Sequence, residues 1–453
     1  MTETIPILAV AGRPVLHSKS PVIFRELFRS SGTKGAYSRL AAGSAAEAIS
    51  LFRALGMRGM NLTSPFKEEA APLVDELSDR AQKLGAVNSL ARAGGGAIRG
   101  DNTDPEGVLG ALAARGAAVT GSRCLVLGAG GAGKAAAFAL ISAGAEVTIA
   151  NRTRSRADDA AALLGCSSAS LDELPALAAA ADFIVSTIAS DALPDPEAWM
   201  PPAGGRLKAV LDADYKTGAL ARLASLRGLS AATGADWLLS QALPAYRLFM
   251  GGEALDVDEA ERARLAAILA AAPPVFPRGR AIALVGLMGA GKTRVGRSLA
   301  GRLGAPFVDA DAEIEAEASA SIPEIFAREG EAGFRAREAR ALDRITSREG
   351  TAVISTGGGA PTDPASASIL AESCLPVWLY VSPRTAAARA AKAPGGAASR
   401  PLIAAGDPEE RLAALEAERR GAYASLAELI VSTEGHGPEE VAEMIHDEIS
   451  RVS

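Results

Sequence analysis

RCLVLGAGGAGKAAA, residues 123–137, is an apolar run that breaks into glycines and then continues as helix-forming sequence. Gly128, Gly130 and Gly133 fit G-x-G-x-x-G, with Gly131 inside the motif, directly after a strand and at the start of a helix. Glycines so placed allow a tight turn and let a pyrophosphate approach the helix N-terminus, which points to a dinucleotide. Outward from this stretch, EVTIANRT, DFIVSTI and LKAVLDADY follow, separated by helical sequence, in the rhythm of a parallel, doubly wound sheet. The next strand indicates which dinucleotide. Where an acidic residue would bind a ribose 2′-hydroxyl, this chain has Asn151, Arg152, Thr153 and Arg154. Two guanidiniums and a hydroxyl suit a 2′-phosphate, so NADP is expected rather than NAD.

A second glycine loop, GLMGAGKT at 286–293, is a full G-x-x-x-x-G-K-[ST] between AIALV and RVGRSLAGRL. Backbone N–H groups of Gly286, Gly289, Ala290 and Gly291 can wrap the phosphates of ATP, Lys292 can neutralise the outer two, and Thr293 can ligate Mg²⁺. The loop alone leaves the phosphate acceptor open. Between the two loops, AAPPVFPRGR (271–280) reads as an interdomain linker, and the α/β rhythm resumes at residue 281.

The 453 residues predict two to four domains at about 100–200 residues each. A net charge of −6 and 4% aromatic residues argue against nucleic acid as a partner. Cys124, Cys166 and Cys374 make neither a disulfide framework nor a metal cluster. The opening MTETIPILAVAG has no basic leader region, and no apolar stretch approaches the roughly 20 residues that span a bilayer. A cytoplasmic enzyme of small molecules is expected. With only His17, His436 and His446 present, acid–base work should fall to Lys and Asp.

Four segments in the first half stand where apolar strands give way to polar loops or helix starts: HSKSP (17–21), NLTSPFK (61–67), GAVNSL (85–90) and GDNTD (100–104). Their hydroxyls, amides, lysine and aspartate suit a small polyhydroxylated substrate. Together with the first glycine loop they resemble shikimate dehydrogenase over about residues 7–252. The resemblance implies that Ser18 and Ser20 bind the substrate carboxylate, and Thr63, Asn88, Asp104 and Gln241 its hydroxyl and carbonyl side. It also implies that Lys67 and Asp104 form the catalytic pair, Tyr215 touches substrate and Gly234 touches cofactor. The chemistry is sensible in itself. Ketone reduction needs hydride at carbon and a proton at oxygen, and a lysine oriented by an aspartate can stabilise the alkoxide and protonate it. Three positions depart from the family pattern: Pro105, Asp236 and Trp237, beside a shortened loop at Tyr215.

In the second half, PFVDADAEIE, FRAREA, STGGGA and SRPLI, in this order, resemble shikimate kinase over about residues 281–450. By that resemblance Asp309 organises the Mg²⁺ environment, and Asp311 grips the acceptor hydroxyls and acts as base. Arg335 and Arg419 clamp the carboxylate, with Arg420 an alternative to Arg419. Gly357, Gly358 and Gly359 form the facing loop, and Arg400 belongs to a lid over 390–406.

The expected architecture is a two-lobed α/β reductase with a Rossmann-type NADP lobe, then a P-loop kinase α/β domain with a central parallel sheet. Residues 1–104 with 236–270 would form the substrate lobe, 105–235 the NADP lobe, 271–280 the linker and 281–453 the kinase. The expected function is NADPH-dependent reduction of 3-dehydroshikimate to shikimate, followed by ATP-dependent phosphorylation to shikimate 3-phosphate. Competing readings are an NAD-linked quinate/shikimate dehydrogenase joined to another polyol kinase, and a ligand sensor without turnover.

Overall fold

The computed structural model describes residues 5–214, 218–252, 255, 257–273, 276, 279–348, 350–392 and 406–452. Its strands in chain order begin with β1 Ile7–Gly12, β2 Ala36–Ala41, β3 Gly59–Leu62, β4 Glu76–Leu77, β5 Ser89–Arg92 and β6 Ile98–Asp101. Next come β7 Arg123–Leu127, β8 Glu146–Asn151, β9 Ser167–Ser170, β10 Phe183–Ser186, β11 Ala209–Asp212 and β12 Ser230–Thr233. The last are β13 Ala281–Val285, β14 Phe307–Asp309, β15 Val353–Ser355, β16 Cys374–Tyr380 and β17 Leu429–Ser432. By packing, the chain falls into two units: Met1–Pro21, Gly32–Phe66 and Pro273–Ser453 form one, Val22–Ser31 and Lys67–Ala272 the other.

In the first unit, parallel strands run β14-β15-β13-β16-β17-β2-β1-β3. Every residue of β1, β13, β16 and β17 is buried, which is why these strands read as unbroken apolar runs rather than alternating ones. The β17–β2 pairing sets Leu429 opposite Arg39 and Val431 opposite Ala41. Kinase-like sequence and N-terminal sequence therefore share one sheet inside this unit.

The second unit carries a six-stranded parallel sheet, β12-β11-β10-β7-β8-β9, the order of a Rossmann fold. Alternate strand residues feed two cores: Cys124 and Val126 pack with Ala135–Ala137 of the helix after the glycine loop, Leu125 and Leu127 with Ile184 and Leu220. The same unit holds β5 antiparallel to β6, and β4 parallel to β6.

Local structure accommodates the three unusual residues. Pro105 lies in the first turn of helix Asp104–Ala113, where a missing N–H costs nothing. Asp236 closes a capping box with Thr233 at the start of helix Gly234–Phe249, and Arg115 reaches it at 2.9 Å. Trp237 is buried against Gly107, where any Cβ would clash with the indole. Helix Glu259–Ala271 ends where the expected linker starts, and β13 begins at Ala281.

Candidate active sites

Within the first unit, the loop after β13 opens into a cavity of about 1230 Å³. Gly291, in the left-handed region at φ 89°, caps the N-terminus of helix Lys292–Leu303, so that the loop's N–H groups gather at the positive helix end. Gly286 and Gly289 also have positive φ, and a Cβ on either would crowd backbone of Leu379 or Ala386. Lys292 Nζ donates to the carbonyls of Gly286 (2.8 Å) and Leu287 (3.0 Å). Thr293 Oγ1 donates to Asp309 Oδ2 at 3.1 Å. These two hard oxygens suit Mg²⁺, which takes few protein ligands and completes its shell with phosphate and water.

Across the cavity stands Asp311, at the start of helix Ala310–Ala318. Burial pushes its carboxyl up from the ordinary carboxylate range, opposed by the Lys292 cation. The loop Gly357–Gly359 runs tightly beside it. A Cβ on Gly357 would stand 2.6 Å from Glu338 Oε1 and 3.0 Å from Asp311 Oδ1, and one on Gly359 would collide with the Arg335 guanidinium. Gly358 lies under Arg419, and its carbonyl accepts from the Tyr423 hydroxyl at 2.5 Å. Arg335 is fixed by Glu338, 2.6 Å away. Of the two candidate arginines on helix Pro408–Leu426, Arg419 lines the cavity, whereas Arg420 is bound to Glu416.

The residues that the sequence assigns to the reductase are divided between the two units. On the first, Ser18 and Ser20 are buried at the start of helix Ser20–Ser30, their hydroxyls 3.2 Å apart. Tyr37 is buried beside them, hydrogen-bonded to Ser20 and donating to Asn61 Oδ1 at 2.8 Å; burial raises its phenol above the usual range. Thr63 follows β3, and Gly12 at the end of β1 leaves room for its methyl.

On the second unit, Lys67 Nζ meets Asp104 Oδ2 at 2.5 Å. Asp104 is 1% exposed. Asn102 Oδ1 holds the Asp104 N–H at 3.1 Å, and Asn88 Oδ1 accepts from the Thr103 N–H at 2.8 Å, so the NTD segment is fixed from both sides. Gln241, on helix Gly234–Phe249, has a buried Oε1 without a hydrogen-bond partner among the described residues. Gly234 opens that helix.

The dinucleotide loop belongs to the same unit. Gly130 caps helix Gly131–Ser142, Gly128 has φ 107°, and a Cβ on Gly133 would run into the Gly128 carbonyl. A Cβ on Gly131 would lie 3.5 Å from Lys67 Cβ, which places the loop beside the catalytic candidate. At the end of β8, Asn151 donates to the Thr153 carbonyl at 3.0 Å, and Thr153 precedes helix Arg154–Leu164. Arg154 pairs with Asp158 at 2.9 Å and Glu173 at 3.4 Å, while Arg152 is exposed and makes no ion pair among the described residues. Tyr215, Arg400 and most of the expected lid lie outside the described residues.

Sequence reading missed several contributors. Glu338 braces Arg335, and Arg389 holds the Gly289 carbonyl at 3.1 Å and the Thr433 carbonyl at 2.6 Å. Phe326 and Phe334 stack at 4.5 Å along the cavity wall. Only the three-residue spacing of Arg335 and Glu338 was readable as a helical pair. Among the described residues no group of three metal-ligating side chains forms, all three cysteines are free, and no helix is long and apolar enough to cross a membrane.

Fold and residues together define a chain with two α/β catalytic modules, one built around a dinucleotide loop and one around a phosphate loop. The family described as shikimate kinase matches residues 288–450. Shikimate dehydrogenase substrate binding domain matches 10–90, and shikimate / quinate 5-dehydrogenase matches 111–200. A shikimate kinase of Halorhodospira halophila is 47% identical over 164 residues, 36% of this chain and 90% of its own length. A shikimate dehydrogenase (NADP(+)) of Halobacterium salinarum is 39% identical over 257 residues, 55% of this chain and 94% of its own. The crystal structure of shikimate 5-dehydrogenase from Thermus thermophilus, in complex with NADP(H) and shikimate, superposes with a TM-score of 0.52 at 34% identity, covering 59% of this chain and 100% of that one. The chain belongs to the shikimate dehydrogenase family in its N-terminal part and to the shikimate kinase family in its C-terminal part. It is a NADP-dependent shikimate dehydrogenase and a shikimate kinase in one polypeptide, an enzyme of the shikimate pathway.

Proposed function

We propose that the chain reduces 3-dehydroshikimate to shikimate with NADPH and then phosphorylates the shikimate 3-hydroxyl with ATP. The supporting observation is that Lys292, Asp311, Arg335, Gly357–Gly359 and Arg419 converge on one cavity, in a chain that also carries the Lys67–Asp104 pair. In this reading residues 1–104 with 236–270 are the substrate lobe, 105–235 the NADP lobe, 271–280 the linker and 281–453 the kinase.

For the reduction, Ser18 and Ser20 hold the carboxylate, and Thr63, Asn88, Asp104 and Gln241 hold the ring oxygens. NADPH supplies the hydride when bound. Lys67, oriented by Asp104, stabilises the developing alkoxide and delivers its proton. Arg152 faces the 2′-phosphate.

For the phosphorylation, Arg335 and Arg419 hold the carboxylate of shikimate. Asp311 accepts the hydrogen bond of the attacking hydroxyl and aims it at the γ-phosphate, which Lys292 and the loop N–H groups keep in line. Thr293 and Asp309 would hold Mg²⁺, whose chemistry there is to neutralise charge on the phosphates. The partners are small molecules, and the free cysteines suit a reducing cytoplasm.

The test is one incubation of purified chain with 3-dehydroshikimate, NADPH and Mg-ATP. Shikimate 3-phosphate formed as NADPH is consumed is the expected result. Oxidation that stops at shikimate would confine the proposal to the reduction and reopen the acceptor of the kinase. Binding without turnover of either nucleotide would favour the sensor.

A further inference from the structure

Two acidic residues of the kinase sequence reach the turn that carries Ser18 and Ser20, all inside the first unit. Glu448 lies on helix Pro438–Ser450 and is buried. Its Oε2 accepts the backbone N–H of Val15 at 2.8 Å and of Leu16 at 2.7 Å. One carboxylate oxygen thus fixes two consecutive peptide units just before His17 and Ser18, in short, charge-assisted bonds.

The other side of the turn is held through Arg39 on β2, 1% exposed. Its Nε and Nη2 donate to the Ser18 carbonyl at 2.9 and 2.7 Å, and its Nη1 to Glu428 Oε2 at 2.6 Å. Glu428 directly precedes β17, the strand that pairs with β2. A planar guanidinium can grip one carbonyl with two donors while turning a third to a carboxylate; a lysine cannot. The Glu428 carboxylate, from the kinase sequence, compensates charge on the buried Arg39 guanidinium, and removing one partner of a buried ion pair is costly.

We propose that Glu448 and Arg39, the latter held by Glu428, are positioning residues of the reductase, so that the kinase sequence forms part of the frame that presents Ser18 and Ser20 to the substrate carboxylate. The proposal rests on the reading that these serines bind that carboxylate. A displaced turn weakens recognition of substrate while leaving hydride transfer, cofactor binding and the kinase cavity intact.

The experiment uses the full chain and measures KM for 3-dehydroshikimate, KM for NADPH, reductase kcat, and kinase kcat/KM for supplied shikimate. Glu448→Ala is expected to raise KM for 3-dehydroshikimate about tenfold, the worth of a charge-assisted hydrogen bond. The other three quantities should stay within about twofold of wild type. Glu448→Gln, whose amide oxygen can accept both N–H groups, should restore most of the loss. Arg39→Lys keeps the charge facing Glu428 but loses the fork on Ser18, and should raise the same KM. Ser18→Ala separates the proposal from the reading beneath it. If Ser18→Ala raises KM for 3-dehydroshikimate and Glu448→Ala does not, the positioning role is overturned and the carboxylate reading survives. If Ser18→Ala leaves that KM unchanged, the carboxylate reading falls and the proposal with it. Parallel losses in the kinase or in NADPH binding would make Glu448 an ordinary fold residue and overturn the proposal as well.

Discussion

Loops 128–133 and 286–293 occupy equivalent places, each leaving an interior strand of its parallel sheet, β7 between β8 and β10, β13 between β15 and β16. Each leads into a helix N-terminus. They differ in the cation that follows the glycines. Lys134 is tied to Glu68 at 2.7 Å, whereas Lys292 lies along its own loop on the carbonyls of Gly286 and Leu287. A dinucleotide's pyrophosphate passes through the reaction unchanged, and backbone N–H groups at a helix end suffice to hold it. A transferred phosphoryl spreads charge over its oxygens in flight and needs cations that follow it. In the proposed function, loops of similar length serve static binding in one module and charge compensation in the other, and the lysine's partner distinguishes them.

The largest effects expected break this comparison at its chemical centres. Lys67→Ala should lower reductase kcat roughly 10²- to 10⁴-fold, the worth of a positioned general acid. Kinase turnover of supplied shikimate should persist. Lys292→Ala should lower kinase kcat roughly 10²- to 10³-fold, in the range of one lost transition-state donor, with NADPH oxidation preserved. Both assays run on the same full-length protein. A substitution that abolished both activities would show that the modules do not work independently.

A smaller effect separates Arg419 from Arg420. A charged hydrogen bond to the substrate carboxylate is worth about 1.5–3 kcal/mol, so Arg419→Ala should raise KM for shikimate roughly 10- to 100-fold. Arg420→Ala should change it less than about threefold, because that side chain belongs to Glu416. Steady-state kinase kinetics decide between them. Adjacent residues on a helix point to different sides, so the pair RR in AERRGAY did not say which faces the cavity. The i,i+4 spacing of Glu416 and Arg420 was the readable signal, since it commits Arg420 to its own helix.

Both glycine loops and the alternation of strand and helix were legible because each rests on local spacing or on a short motif, whereas the pairing of Lys67 with Asp104 was legible only through the resemblance to shikimate dehydrogenase. What escaped is carried by lone residues whose partners are far away in sequence. Glu448 serves Val15 and Leu16, Arg39 serves Ser18 beside Glu428, and Arg389 serves Thr433. No periodicity announces such contacts. Alanine hid part of the core for another reason: Ala135, Ala136 and Ala137 are fully buried in the helix behind the first loop, yet their type is so abundant here that it carries no signal. The join of β17 to β2 was also invisible, since parallel edge pairing depends on two strands separated by almost the whole chain.

The smallest effect tests how the first loop's module selects its cofactor. Sequence set Arg152 and Arg154 together against a 2′-phosphate, and the two differ in their ion-pair partners. Arg154 is engaged by Asp158 and Glu173, and Arg152 stands exposed at the end of β8 with no ion pair among the described residues. Arg152→Ala should raise KM for NADPH about tenfold, one charged hydrogen bond to phosphate, and leave KM for NADH unchanged, since NADH lacks that group. Arg154→Ala should change KM for NADPH less than about threefold, because Asp158 and Glu173 already engage that guanidinium. Equal effects of the two substitutions would mean that the Asp158 pair opens when cofactor binds. In that event Asp158→Ala, which removes the nearer of its two acidic partners, should lower KM for NADPH, whereas an arginine with no cofactor contact would leave it unmoved.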